Sequence, residues 1–261
     1  MKKEGKKIID FGENKKSQVA IFVIVGLLIT GTIGAIFVLN QNFEFLSFGI
    51  DKEAKDVYQL LDDCVKQRAI DAIRLIGLNG GYTSPPSNSI EHSLGSTAYG
   101  LQNKRNVLVT KQEIEQEIED YITYALPYCY DKNSFQYNVS SKNPTAKVDI
   151  RDNYIKVNGN MDITIVKEDT TIQLNKKYSH DIQVRMNEIL ILANKIVEKQ
   201  KQEKDYIPLT YLSTLDAEII YDYIDDTTLL YIIHDTKSEL EGIPYSFLFA
   251  TELTPTEEEK Q

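Results

Sequence analysis

From Val19 to Leu39 the chain runs for 21 residues without a charged side chain. As a helix rising about 1.5 Å per residue, the run spans roughly 30 Å, the thickness of a bilayer's hydrocarbon layer. A helix of a water-soluble domain needs a wet face and rarely stays apolar all round for so long. A secretory signal has an apolar region of about 7–15 residues and then a small-residue cleavage site. This run is longer and leads into polar Asn40, Gln41 and Asn42. It is therefore expected to be an uncleaved, single-pass transmembrane helix. Lys15 and Lys16 abut it on one side, and the first base on the other side is Lys52. Basic flanks stay in the cytoplasm. The expected organisation is a cytoplasmic basic N-terminus (1–18), a transmembrane helix (19–39), a juxtamembrane linker (40–50), an extracytoplasmic domain (51–253) and an acidic tail (254–261).

Within the span, Gly26, Thr30 and Gly34 recur every four residues. Such a small-residue stripe lets two helices approach closely, so it is a candidate helix-association face for a homo-oligomer. Glycine is also common in membrane helices for reasons unrelated to pairing. Charge narrows the partners further. The whole chain carries −10, while residues 1–18 carry +3, leaving −13 on the remainder. Nucleic acid binding needs a basic footprint, so an acidic body of this kind excludes it. The bilayer is the expected partner, together with another envelope or surface protein.

The segment KKSQVAIFVIVGLLI resembles the N-terminus of archaeal proteins with a class III, type IV pilin-like signal. That resemblance implies processing between Ser17 and Gln18. Ser17 stands where family leaders carry Gly or Ala, and Phe22 stands where they carry the Glu that supports subunit assembly. The layout as a whole also resembles single-anchor membrane proteins of small-genome archaea. They share the start of the helix, a Cys-bearing helix ending in a segment like LIGLNGGY (75–82), and a second Cys after another helix. This second resemblance implies a location and no chemistry.

The remainder reads as α+β. In residues 51–78, Ala54, Val57, Leu61, Cys64, Val65, Ala72, Ile73 and Ile76 recur at helical spacing, and Gly80 and Gly81 supply a stop. Pro85 and Pro86 make 82–89 a loop. A second helix starts at the capping box Thr110–Glu113, carries Ile114, Ile118 and Ile122 inward, and should end at Pro127. From Phe135 the period changes to two. Segments 146–151, 153–159, 161–167 and 170–184 alternate apolar with polar, separated by RDN, NGN and EDT. They predict an antiparallel meander with one wet face. A third helix is expected at about 183–204, and three final strands at AEIIYDYI, TTLLYIIHD and IPYSFLFATEL. The expected architecture is two or three helices packed on one face of an antiparallel sheet, or of two small ones.

Few residues offer chemistry. Cys64 and Cys129 lie on or beside two different apolar stripes, and an external compartment permits a disulfide between them. Two buried free thiols are the alternative. His92, His180 and His234 stand alone in different elements, without HExxH spacing, so no metal site is expected. HSLGSTAYG (92–100) lacks the nucleophile elbow, and GLNGGY lacks a following Lys-Ser/Thr for a phosphate loop. DYIDD (222–226) clusters three Asp without EF-hand alternation and reads better as a hairpin turn at Asp225 and Asp226. Asn138-Val139-Ser140 is a sequon, marking Asn138 for glycosylation if the domain is outside. Tyr221, Tyr223 and Tyr231 fall on neighbouring strands, as a binding face or as ordinary strand residues.

No catalytic residues and no cofactor are expected. The expected function is that of a single-pass, membrane-anchored structural or interaction protein. The alternatives are a pilin-like filament subunit and an extracytoplasmic enzyme.

Overall fold

In the computed structural model, residues 52–130, 138–203 and 207–253 are described. The expected span 19–39, with Gly26, Thr30 and Gly34, lies outside them, as do Ser17, Gln18 and the tail 254–261. Among the described residues no helix is long and apolar enough to cross a membrane.

The fold is α+β and is built around its first helix. Helix α1 (Lys52–Leu78) has 27 residues and so extends about 40 Å. Its predicted stripe is fully buried at Ala54, Val57, Leu61, Val65, Ile73 and Ile76. Gly80, at a φ of +72°, reverses the chain where a side chain would be strained. The Gly81 N–H then closes the helix end on the Ile76 carbonyl at 2.8 Å.

Four short strands follow: β1 (Ile90–His92), β2 (Gly95–Thr97), β3 (Tyr99–Gln102) and β4 (Arg105–Asn106). Helix α2 (Lys111–Ala125) begins with the predicted box, in which Thr110 and Glu113 each satisfy the other's backbone N–H. A 3-10 turn at Leu126–Tyr128, containing Pro127, ends it just before Cys129. Strands β5 (Asn138–Ile150), β6 (Ile155–Lys167) and β7 (Thr170–Ile182) form a three-stranded antiparallel sheet. Helix α3 (Met186–Gln202) and the single turn α4 (Leu209–Leu212) lead to β8 (Glu218–Asp225), β9 (Thr228–Leu240) and β10 (Ile243–Glu252). These complete a five-stranded sheet in the order β4-β3-β10-β9-β8.

Two expectations need correction. Segments 153–159 and 161–167 are one strand, β6, and Asn158-Gly159-Asn160 is not a turn. The alternation explains why: Ile155, Val157, Met161, Ile163 and Ile165 are all buried, in phase across Gly159. Gly159 faces α1 closely, because a Cβ there would lie 3.1 Å from both methyls of Val65. The larger sheet is mixed and not purely antiparallel, since β3 runs parallel to β10. Strands β1 to β4 are two to four residues long, too short to show a period.

Helix α1 forms a wall of both sheets. Its first half meets the smaller one, with Tyr58 stacked on Tyr178 at 5.2 Å between ring centroids and His180 bonded to Asp62 at 3.1 Å. Its last turns meet β10, where the Tyr245 hydroxyl donates to the Ile73 carbonyl at 3.1 Å. At that contact a Cβ on Gly77 would stand 2.3 Å from the Ser246 carbonyl oxygen and 2.9 Å from the Tyr245 hydroxyl.

Helix α2 covers the edge of β5 in an unusual way. The N–H groups of Ala146, Val148 and Ile150 donate to Thr123 Oγ1, Glu119 Oε1 and Glu115 Oε1 at 3.1, 2.9 and 2.9 Å. Two strand residues advance about 6.8 Å and four helix residues about 6.0 Å, so side chains one turn apart can follow alternate strand amides. Glu119 is nearly buried, and Lys147 pairs with it at 3.0 Å.

In an ordinary helix Gly→Ala is stabilising by up to about 1 kcal/mol. At Gly77 the backbone of β10 leaves no room. Gly77→Ala is therefore expected to destabilise by about 1–3 kcal/mol, measured as a shift in the urea midpoint.

Candidate functional site

The predicted cysteine pair is brought together. Cys64, midway along α1, and Cys129, after the turn that ends α2, form a disulfide with Cα atoms 5.7 Å apart. Closing a loop across 65 residues of sequence corresponds to roughly 4 kcal/mol in the chain-entropy account. The bond joins α2, which covers β5, to the helix shared by both sheets. On the outer side of this seam Tyr124 and Tyr128 pair at 5.6 Å, and both rings are largely exposed.

The three histidines remain apart. His92 bonds Thr97 at 2.8 Å, His180 bonds Asp62, and His234 bonds Ser246 at 3.0 Å. Among the described residues no three His, Cys, Asp or Glu side chains are grouped to hold a metal ion. The segment 92–100 contributes β2 and β3, and its Thr97 hydroxyl donates to the Leu78 carbonyl at 2.6 Å beside the end of α1. In DYIDD, the Asp225 carboxylate accepts the Thr227 N–H at 2.8 Å, the predicted turn between β8 and β9. Asn138 opens β5 and is exposed together with Ser140, on the face opposite buried Val139.

The tyrosines divide. Tyr231 lies directly opposite Tyr221 in register, yet it is fully buried and its hydroxyl donates to Gln200 of α3 at 2.6 Å. Tyr221 and Tyr223, on the outermost strand, are 37% and 53% exposed, with Ile220 on the opposite face at 44%. Tyr231 is thus a core residue, and the other two belong to the surface.

Two features escaped the sequence. One is a cleft of about 500 Å³ between β4, the start of α2 and α3. Leu108, Leu190 and Ile191 line it, and its polar groups include Asn106, Lys111 and Asn194. Asn106 donates to Asn194 at 2.7 Å and to Glu198 at 2.9 Å, and accepts the Leu108 N–H at 3.1 Å. Among the described residues no acid, imidazole or thiol lines this cleft. The other is a half-buried ion pair: partly exposed Arg185, at the start of α3, clasps buried Asp235 of β9 through two nitrogens at 2.5 and 3.3 Å. Ser238 donates to the same carboxylate at 2.5 Å. Their positions, 50 residues apart, gave no local signal.

No protein-family model, curated protein or solved structure matches the chain.

Burial pushes the Asp235 carboxyl up, but the hydrogen bonds from Arg185, Ser238 and the Lys237 N–H outweigh it and hold the group below its ordinary value. A depressed folded-state pKa adds stability that is present above the unfolded value of about 3.9 and is lost as pH falls through the folded value. Asp235→Asn should therefore destabilise near neutrality, by about 1–3 kcal/mol for charge-assisted bonds lost to a half-buried partner. That deficit should narrow progressively below about pH 4, as read from urea midpoints across pH. A deficit constant down to about pH 2.5 would contradict the assignment.

Proposed function

We propose that the protein is a single-pass, membrane-anchored structural or interaction protein that holds its acidic α+β domain outside the cytoplasmic membrane. One observation carries this reading: 21 uncharged residues, Val19–Leu39, preceded by Lys15 and Lys16. Their transfer from water to lipid is favourable, and the flanking lysines resist crossing. The Cys64–Cys129 disulfide supports it, because such bonds persist mainly in oxidising compartments. The mechanism is tethering. The anchor restricts the domain to a shell near the membrane, which raises its effective concentration towards any partner there. Contacts would come from surfaces such as the outermost strand with Tyr221 and Tyr223, which are exposed.

The second reading, a pilin-like subunit processed between Ser17 and Gln18, rests on the KKSQ segment and its uninterrupted apolar continuation. Phe22 at the assembly position argues against it.

Membranes from the native source, washed in carbonate, should retain the whole chain, and protease added to intact cells should degrade the domain. Intact mass should include residues 1–17. Recovery in the supernatant, or a domain protected until lysis, would overturn the tether. A mass lacking residues 1–17 would favour the pilin-like subunit.

A further inference from the structure

Exposed strand edges invite further pairing, and proteins blunt them with short strands, lysines, bulges or covering elements. The sheets of this molecule show three of these devices. Strand β4 is two residues long. Strand β5 has alternate amides taken up by Thr123, Glu119 and Glu115. Strand β7 carries adjacent, exposed Lys176 and Lys177.

Strand β8 shows none of these three along most of its length, and the charges it carries are acids, Glu218, Asp222 and Asp225. Glu218–Tyr223 pair with β9 in unbroken register, and the irregularity comes only between Tyr223 and Asp225. It holds no Lys and no Pro. Among the described residues no backbone hydrogen bond reaches its outer side. Its side chains suit pairing, since Ile219, Ile220, Tyr221 and Tyr223 are strand formers that pack against cross-strand neighbours.

Charge selects the occupant. Residues 218–226 carry Glu218, Asp222, Asp225 and Asp226 and no base. A second copy aligned antiparallel about Asp222 would set Asp222 against itself and Glu218 against Asp226, which is destabilising. We propose that β8 is a strand-addition site for an extended segment of a partner protein in which lysine or arginine alternates with apolar residues. Its backbone would continue the five-stranded sheet. Its apolar side chains would lie beside Tyr221 and Tyr223, and its bases would lie opposite Asp222 and Glu218. Main-chain bonds supply the affinity in this mode, and the flanking side chains supply the choice of partner.

This deepens the interaction reading above but is tested apart from the anchor, because binding is measured on the full chain in detergent whether or not it inserts in a membrane. The probe is a fluorescein-labelled hexapeptide alternating lysine with valine, followed by anisotropy. Saturable binding is expected. It should weaken at least about tenfold when alternate amides are N-methylated, since the strand bonds are lost. Asp222 is exposed, so Asp222→Lys should leave the fold intact. It should weaken the lysine peptide and strengthen a glutamate-valine counterpart. No binding, binding indifferent to N-methylation, or binding indifferent to Asp222→Lys would overturn the proposal. So would a homodimer that the same substitution abolishes.

Discussion

The structure depends on one helix serving two sheets. Helix α1 buries Leu61 and Val65 beside the smaller sheet and Ile73 and Ile76 towards the larger one. Such an arrangement requires close approach at both ends. Gly159 provides it on the sheet and Gly77 on the helix. Full burial of each large aliphatic side chain contributes about 1.5–3 kcal/mol, so this wall is a major source of cohesion. Cys64 then ties α2 to α1, and α2 in turn satisfies the amides of β5. Removing the helix would take away the wall that the two sheets share.

Interior groups are committed in the same way, so the proposed contacts fall at the periphery. The polar groups of the cleft beside α3 are bonded to neighbours, Asn106 to Asn194 and Glu198 and Lys111 to Glu115, and the histidines are bonded within the fold, His92 to both Thr97 and Leu94. Among the described residues, exposed candidates for contact are the Tyr124–Tyr128 pair, the sequon at Asn138 and the outer side of β8. These exposed surfaces are where the proposed tether would make its contacts. The acids of β8, Glu218, Asp222 and Asp225, are the basis of the basic partner proposed for its edge.

Much of this was legible in the sequence where the signal was local and periodic. The α1 stripe, the Thr110–Glu113 box, the turn at Asp225 and the last three strands all stand where their patterns put them. The cysteines were legible as a pair because each flanked an apolar stripe. Gly159 misled, because the usual turn signal Asn-Gly was there for packing against Val65. Strands β1 to β4 were hidden by their length, and the parallel β3–β10 pairing by its separation in sequence. The Arg185–Asp235 clasp and the Glu115/Glu119 cover over β5 were hidden for the same reason, since long-range partners leave no local pattern.

The central claim joins a covalent bond to a compartment, and one labelling experiment addresses both. Intact cells are treated with a membrane-impermeant maleimide, with and without a membrane-impermeant reductant, and the chain is then resolved by mass. The account predicts no tag without reductant and two tags with it, at Cys64 and Cys129. Tags acquired only after lysis, and without any reductant, would reveal free thiols inside the cell and contradict it.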